Sequence, residues 1–274
     1  MSDPREFEQL AEAAADRAGI RIRLSESLAD VVAVSEILAS IWATPPDRSP
    51  GEVSTLVALR HAGGYVAGAW RGSEILGASF GFVSLRAGRL GLHSHVTGAV
   101  EASRGVGTAL KFHQRAWAAA KDLDEITWTF DPLIRRNAHF NLNVLNARIV
   151  SYHENLYGAL EDGFNGRDET DRCTVVWDLR SSSGMRAVRS GWGFPDDSIL
   201  VGHDRAVRDD AGRNGSPGRL VALPDDILRI RTEAPSEATA WRSVYRRVLG
   251  PMLAAGDGIG ELTSDGFYVV DRAR

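Results

Sequence analysis

The hydrophobic period of this chain switches at Gly64, and the order of the two periods leaves few topologies open. Before the switch, residues 4–17 place Phe7, Leu10, Ala11 and Ala14 at helical spacing. Residues 20–24 alternate as a short strand. Residues 28–41 carry Leu28, Val31, Val34, Leu38 and Ile41, which predicts a buried helix with Ser25 or Ser27 as its cap and Pro45 and Pro46 beyond its end. A second helix is predicted over 51–61. After Gly64 come three strands, 64–70, 75–85 and 92–100, the first two joined by the polar turn Arg71-Gly72-Ser73-Glu74. The period then returns to helical over 108–121. A strand at 126–130, a helix at 135–145 and strands at 149–153 and 173–179 complete this part. Early strands joined by hairpins and later strands joined through helices make a mixed α/β sheet with helices on both sides.

Composition removes several functions. Net charge is −4 with no long basic run, so nucleic acid is not an expected partner. The single cysteine, Cys173, lies in an apolar run and reads as core; it can form neither an intrachain disulfide nor a cysteine metal site. No cluster has metal-ligand spacing. Asp168, Glu169, Asp171 and Arg172 read as a solvated loop. No stretch reaches the length of a bilayer span, and residues 2–17 lack the apolar run of a signal peptide, so no membrane role and a cytoplasmic location are expected.

Residues 181–184 and 209–218 read as linkers around a short apolar piece at 198–202. Beyond them, strands are predicted at 219–223 and 227–230, a long helix at 236–255, and a hairpin at 258–270 turning at Ser264-Asp265-Gly266. The expected organisation is a first domain at 1–180, a linker-rich segment at 181–218, and a C-terminal α+β extension at 219–274 docked on the first domain, since about 60 residues are marginal alone.

The run Ser103-Arg104-Gly105-Val106-Gly107-Thr108-Ala109-Leu110 lies between a strand and an amphipathic helix. Small residues let backbone approach a ligand, and the first N–H groups of a helix are unpaired and sit at its positive end. Such a turn suits a pyrophosphate. It lacks the Lys-Ser/Thr of a Walker loop and the Gly-x-Gly-x-x-Gly of a dinucleotide site. Taken alone, it is equally a plain glycine-rich turn.

In this order of elements, Arg104-Gly105-Val106-Gly107-Thr108-Ala109 resembles the Arg/Gln-x-x-Gly-x-Gly/Ala signature of the GNAT superfamily of N-acetyltransferases, over roughly residues 20–180. The run Trp128-Thr129-Phe130-Asp131-Pro132-Leu133 with Asn137 and Asn141 is similar to a bacterial subgroup of that superfamily with a C-terminal extension. The resemblance implies a GNAT-like central mixed sheet and transfer of an acyl group, acetyl or a larger one such as succinyl, from acetyl-CoA or another acyl-CoA to a small-molecule amine. It implies that Arg104, Gly105, Val106, Gly107, Thr108 and Ala109 hold the pyrophosphate. It also places the pantetheine arm along Thr97 and Ala99, with Asn137, Asn141 or Asn143 on the cofactor. Many members use a glutamate on the fourth or fifth strand and a tyrosine on the last helix; here Leu142 stands at the tyrosine's place. The candidates to replace them are His95 and Asp131, then His93 and Tyr152. His93 and His95 share a strand face. For each the alternative is structural: packing for the histidines, a helix cap before Pro132 for Asp131. A non-catalytic acyl-CoA sensor and a protein acyltransferase are the other readings. Exposed strand edges are compatible with a homodimer.

Overall fold

The computed structural model describes residues 4–45, 48–100, 103–158, 168–180, 202–210 and 218–272. The chain forms two compact units, Met1–Trp128 with Asp178–Ser182, and Thr129–Trp177 with Ser183–Arg274. The division falls inside a strand, at Trp128.

The first unit opens with helix α1 (Pro4–Ala18), strand β1 (Arg21–Leu24), and helices α2 (Leu28–Trp42) and α3 (Val53–His61). Ser27 caps α2 in a reciprocal box: its hydroxyl accepts from the Asp30 N–H, and the Asp30 carboxylate accepts from the Ser27 N–H. Strands β2 (Tyr65–Arg71), β3 (Glu74–Arg86) and β4 (Arg89–Ala99) follow as an antiparallel meander. Helix α4 (Val106–Ala119) then returns the chain so that β5 (Glu125–Phe130) runs parallel to β4, as a helical crossover permits. The order β1-β2-β3-β4-β5 is thus a mixed sheet. On one face Val31, Val34 and Leu38 of α2 and Leu56 of α3 pack on Val66, Ala78, Phe80 and Val96. Each valine, leucine or phenylalanine among them contributes about 1.5–3 kcal/mol when fully buried. The other face carries α4, which packs in turn on the Phe7, Ala11 and Ala14 side of α1.

The second unit holds α5 (Arg135–His139), a π-helical turn at Phe140–Val144, β6 (Arg148–His153) and β7 (Arg172–Asp178). A 3-10 turn at His203–Arg205 leads to β8 (Val207–Asp210) and β9 (Gly218–Ala222). Helices α6 (Ile227–Glu233) and α7 (Pro235–Ala254) and the hairpin β10 (Gly258–Leu262) and β11 (Phe267–Asp271) complete it. Its pairings are β7-β6-β10-β11-β9-β8, all antiparallel, so the C-terminal strands continue the sheet from β6. Tyr245 of α7 and Tyr268 of β11 are fully buried and donate to the carbonyls of Ala222 and Pro132 at 2.8 and 2.7 Å.

Three sequence expectations are corrected. Residues 227–230 form the start of α6, because the Asp226 carboxylate accepts from the N–H groups of Leu228 and Arg229 and starts a helix there. The helix expected at 135–145 changes to π geometry after His139, which puts Asn137 on the α-helical turn and Asn141 on the π turn. The charged residues at 168–172 do not form a solvated loop: Asp171 is fully buried and Arg172 nearly so. The linker at 181–184 and the apolar piece at 198–201 lie outside the described residues. So does most of 209–218, whose ends belong to β8 and β9.

Candidate active site

Gly105 is the N-cap of α4 at φ 85°, a left-handed conformation that favours glycine. It offers no side-chain acceptor, and the first intrahelical bond is Ala109 N–H to Gly105 O at 2.9 Å. The amides of Gly107 and Thr108 therefore start the helix without a capping group. A Cβ built on Gly107 meets nothing within 4 Å, so the space before the helix is open there. Val106 and Ala109 send their side chains into the core, which fixes the turn's backbone, while Arg104 is exposed. The sequence signature has this physical content: two inward side chains hold a bare ring of amides.

Strand β4 carries the other unit-one candidates. Its pairing with β5 covers Gly91, Leu92 and His93 against Glu125, Ile126 and Thr127. Among the described residues, the β5-facing edge of β4 has no strand partner beyond His93, an edge that an extended ligand can join. A register shift between Phe80 and Gly81 of β3 leaves His95 as an extra residue in β4, a bulge of the kind that re-aims side chains. The rings of His93 and His95 are 6.1 Å apart, which bears the shared face in the sequence pattern. His93 Nδ1 lies 3.2 Å from the Thr127 hydroxyl, and His95 stands edge-on to Phe80 and Phe82 at 5.4 and 5.8 Å. Both pKa values are lowered: His93 by loss of water, then by His95 and Lys111, and His95, which stays exposed at one side, by partial loss of water. Both are neutral at pH 7 and able to accept a proton.

On the opposite face of the strand, Thr97 belongs to a buried polar chain. Lys111 Nζ donates to Ser94 Oγ at 2.8 Å and to Gln114 Oε1 at 3.3 Å. The Ser94 and Thr97 hydroxyls are 3.4 Å apart, and Thr97 and Ser79 are 2.7 Å apart. Gln114 donates to Ser79, which donates to the Val96 carbonyl at 3.1 Å. Lys111, Ser79, Gln114 and Thr127 were not picked out in the sequence. The available signal was polar residues on the core face of an otherwise apolar helix. A separate cleft of about 490 Å³ beside α1, lined by Glu8, Asp16, Ile22, His113 and Trp117 among others, shares no residue with these groups.

The remaining candidates lie in the second unit, where Asp131 and Tyr152 are engaged by other side chains. Asp131 is 4% exposed; its Oδ1 accepts from the Leu133 N–H at 3.0 Å and its Oδ2 from Arg231, with Arg172 at 3.9 Å. Tyr152 donates to Asp171 Oδ2 at 2.5 Å, and burial and that carboxylate push its pKa up. Asn141 is buried in the π turn and Asn137 is half-buried on α5. Asn143 clamps β10, donating to Leu262 O at 2.7 Å and accepting from Leu262 N–H at 3.1 Å. The wider setting is an ionic core. Asp168 accepts from Arg231 and Arg242, and Asp171 accepts from Arg246 at 2.7 and 2.8 Å. Buried charges persist when paired and hydrogen-bonded in this way.

No helix among the described residues is long and apolar enough to cross a membrane, and no group of three metal-ligating side chains occurs among them. No protein-family model and no curated protein matches the chain. Among solved structures, the chain is similar to an N-acetyltransferase from Staphylococcus aureus Mu50, at 13% identity and a TM-score of 0.47 over 59% of this chain and 99% of that one. It is similar to a ribosomal-protein-S5-alanine acetyltransferase from Vibrio fischeri, at 15% and 0.46 over 60% and 94%. A third is a GNAT family acetyltransferase from Elizabethkingia anophelis with acetyl-CoA bound, at 15% and 0.44 over 58% and 98%. Each of these likenesses covers about three-fifths of this chain.

Proposed function

We propose that the chain is an acyl-CoA-dependent N-acyltransferase that moves an acetyl group, or a larger acyl group such as succinyl, directly to a small amine or amino acid. One observation carries the reading. A bare, glycine-capped helix start at Gly105–Ala109 stands after a strand, β4, whose pairing with β5 stops at His93. The amides of Gly107 and Thr108 suit a pyrophosphate, with Arg104 adding a charged contact. The free edge of β4 from Ser94 to Ala99 suits the amide groups of pantetheine, which bond to a strand edge as peptide does. Acyl-CoA carries both a pyrophosphate and an amide-bearing arm.

In the reaction the acceptor must be a neutral amine. His95, with His93 behind it, takes the proton from the acceptor's ammonium, since both rings are neutral at pH 7. Asp131 and Tyr152 fit anchoring better than proton transfer: the carboxylate accepts from Arg231 and the phenol donates to Asp171. Those same engagements favour the second reading, a sensor that binds acyl-CoA and leaves it intact.

The test is thiol release from acetyl-CoA and succinyl-CoA against a panel of amines and amino acids, with wild type and Arg104→Ala. Turnover that falls at least about tenfold in kcat/KM in Arg104→Ala supports the enzyme, by the strength of one charged hydrogen bond. Tight binding without turnover supports the sensor. Neither binding nor turnover removes both.

A further inference from the structure

Lysine is rare in this chain. Thirty of its 32 basic residues are arginine, and the lysines are Lys111 and Lys121. Lys111 lies inside, 4% exposed, on the sheet-facing side of α4. Arginine keeps its proton in proteins, whereas a lysine out of water can release one.

Its position is specific. Ser94, which accepts from Nζ, is the first residue of β4 beyond the last β5 pair. Trp128, whose ring centroid lies 4.0 Å from Nζ, is the first residue of β5 beyond the same pair. The ammonium thus joins the two strands at the point where their pairing ends. The surrounding groups are Gln114 from α4, Ser79 from β3, Ser94 and Thr97 from β4 and Trp128 from β5, with the titratable His93 close enough to feel its charge. No carboxylate among the described residues forms an ion pair with it. Burial pushes its pKa down to about 7.

We propose that Lys111 is a catalytic residue, the acid that protonates the sulfur of coenzyme A as it leaves. This rests on the acyl-CoA reading above and supplies the proton donor that Leu142 does not. The amine lone pair forms the C–N bond to the thioester carbonyl carbon. The C–S bond breaks and its electron pair stays on sulfur, which takes a proton from Nζ. The attacking nitrogen sheds one proton to His95 or water, and neutral Lys111 regains one from water. An ammonium near 7 gives its proton readily to a thiolate, whose ordinary pKa is about 8.5. The hydroxyl chain Ser94-Thr97-Ser79 fixes Nζ whichever way its protons point.

With two lysines, the chain suits carbon-13 labelling of lysine Cε, and Lys121→Arg assigns the pair. The wild type is titrated by NMR alone, with coenzyme A, and with desulfo-coenzyme A. The Lys111 midpoint is expected near 7 alone, to rise by about half a pH unit or more with coenzyme A, whose thiolate favours the ammonium, and to stay with the desulfo form. Equal midpoints with both ligands overturn the proposal. In turnover, Lys111→Met is expected to lose about 100-fold in kcat with KM for acetyl-CoA within about twofold, and to lose the wild type's fall in kcat above pH 7. Wild-type kcat with that limb intact overturns it also. Failure of the wild type to bind coenzyme A removes the cofactor reading and this one together; binding with unaltered Lys111→Met turnover removes this one alone.

Discussion

Two glycines two residues apart in the α4 turn respond to different physics. Gly105 is held at φ 85°, so Gly105→Ala strains the backbone by about 1–2 kcal/mol, read as a lower unfolding midpoint. Gly107 faces open space, so Gly107→Trp is expected to fold normally and fill the place of a ligand. The histidines of β4 make a pH prediction. Their lowered pKa values keep them neutral down to below pH 6.5, so the acid limb of kcat/KM should lie below that pH, apart from the alkaline fall assigned to Lys111. His95→Gln is expected to lose about 100-fold in kcat/KM and that acid limb; a retained limb would assign the base elsewhere.

At the scale of elements, α4 is where the sequence was most readable and also where it misled. Its start was legible because glycine spacing before an apolar stripe has one good backbone solution. Its buried polar face was not, because Lys111, Gln114 and Arg115 look solvated by residue type and only the packing of α1 and the sheet covers them. The same limit hid Asp168 and Asp171, whose partners are 60 to 75 residues away on α6 and α7. The three-strand meander was legible from period alone. The bulge at His95 was not, since one extra residue leaves no mark in a two-residue repeat. Lys111 also sets a stability trend. Its folded pKa of about 7 lies below the ordinary 10.5, so between those values the unfolded chain binds more protons. Stability gains from rising pH over that window. Urea unfolding should show this gain in wild type and lack it in Lys111→Met.

The whole molecule places its charges unevenly. The second unit keeps Asp131, Asp168 and Asp171 among Arg172, Arg231, Arg242 and Arg246 in its interior. Removing Arg242 leaves Asp168 with Arg231 as its one remaining arginine donor among the described residues, so Arg242→Met should lower the unfolding free energy, by up to about 3–5 kcal/mol. Burial alone raises Asp168 and Asp171, but hydrogen bonds and charge from the arginines outweigh it and hold both below 3.8. Their contribution is present above pH 3.8 and lost as pH falls through the lower folded values. Acid unfolding monitored by circular dichroism should be less steep in Asp168→Asn; an unchanged acid transition would place the sensitivity in other groups.

The chain's central assignment is the α4 turn as an acyl-CoA site. Calorimetric titration of coenzyme A into wild type and Gly107→Trp addresses it most directly. Binding by wild type, lost in a Gly107→Trp protein of unchanged circular dichroism, is the expected result. Equal binding by both would place the cofactor elsewhere, and binding by neither would leave a mixed α/β fold whose glycine turn only joins a strand to a helix.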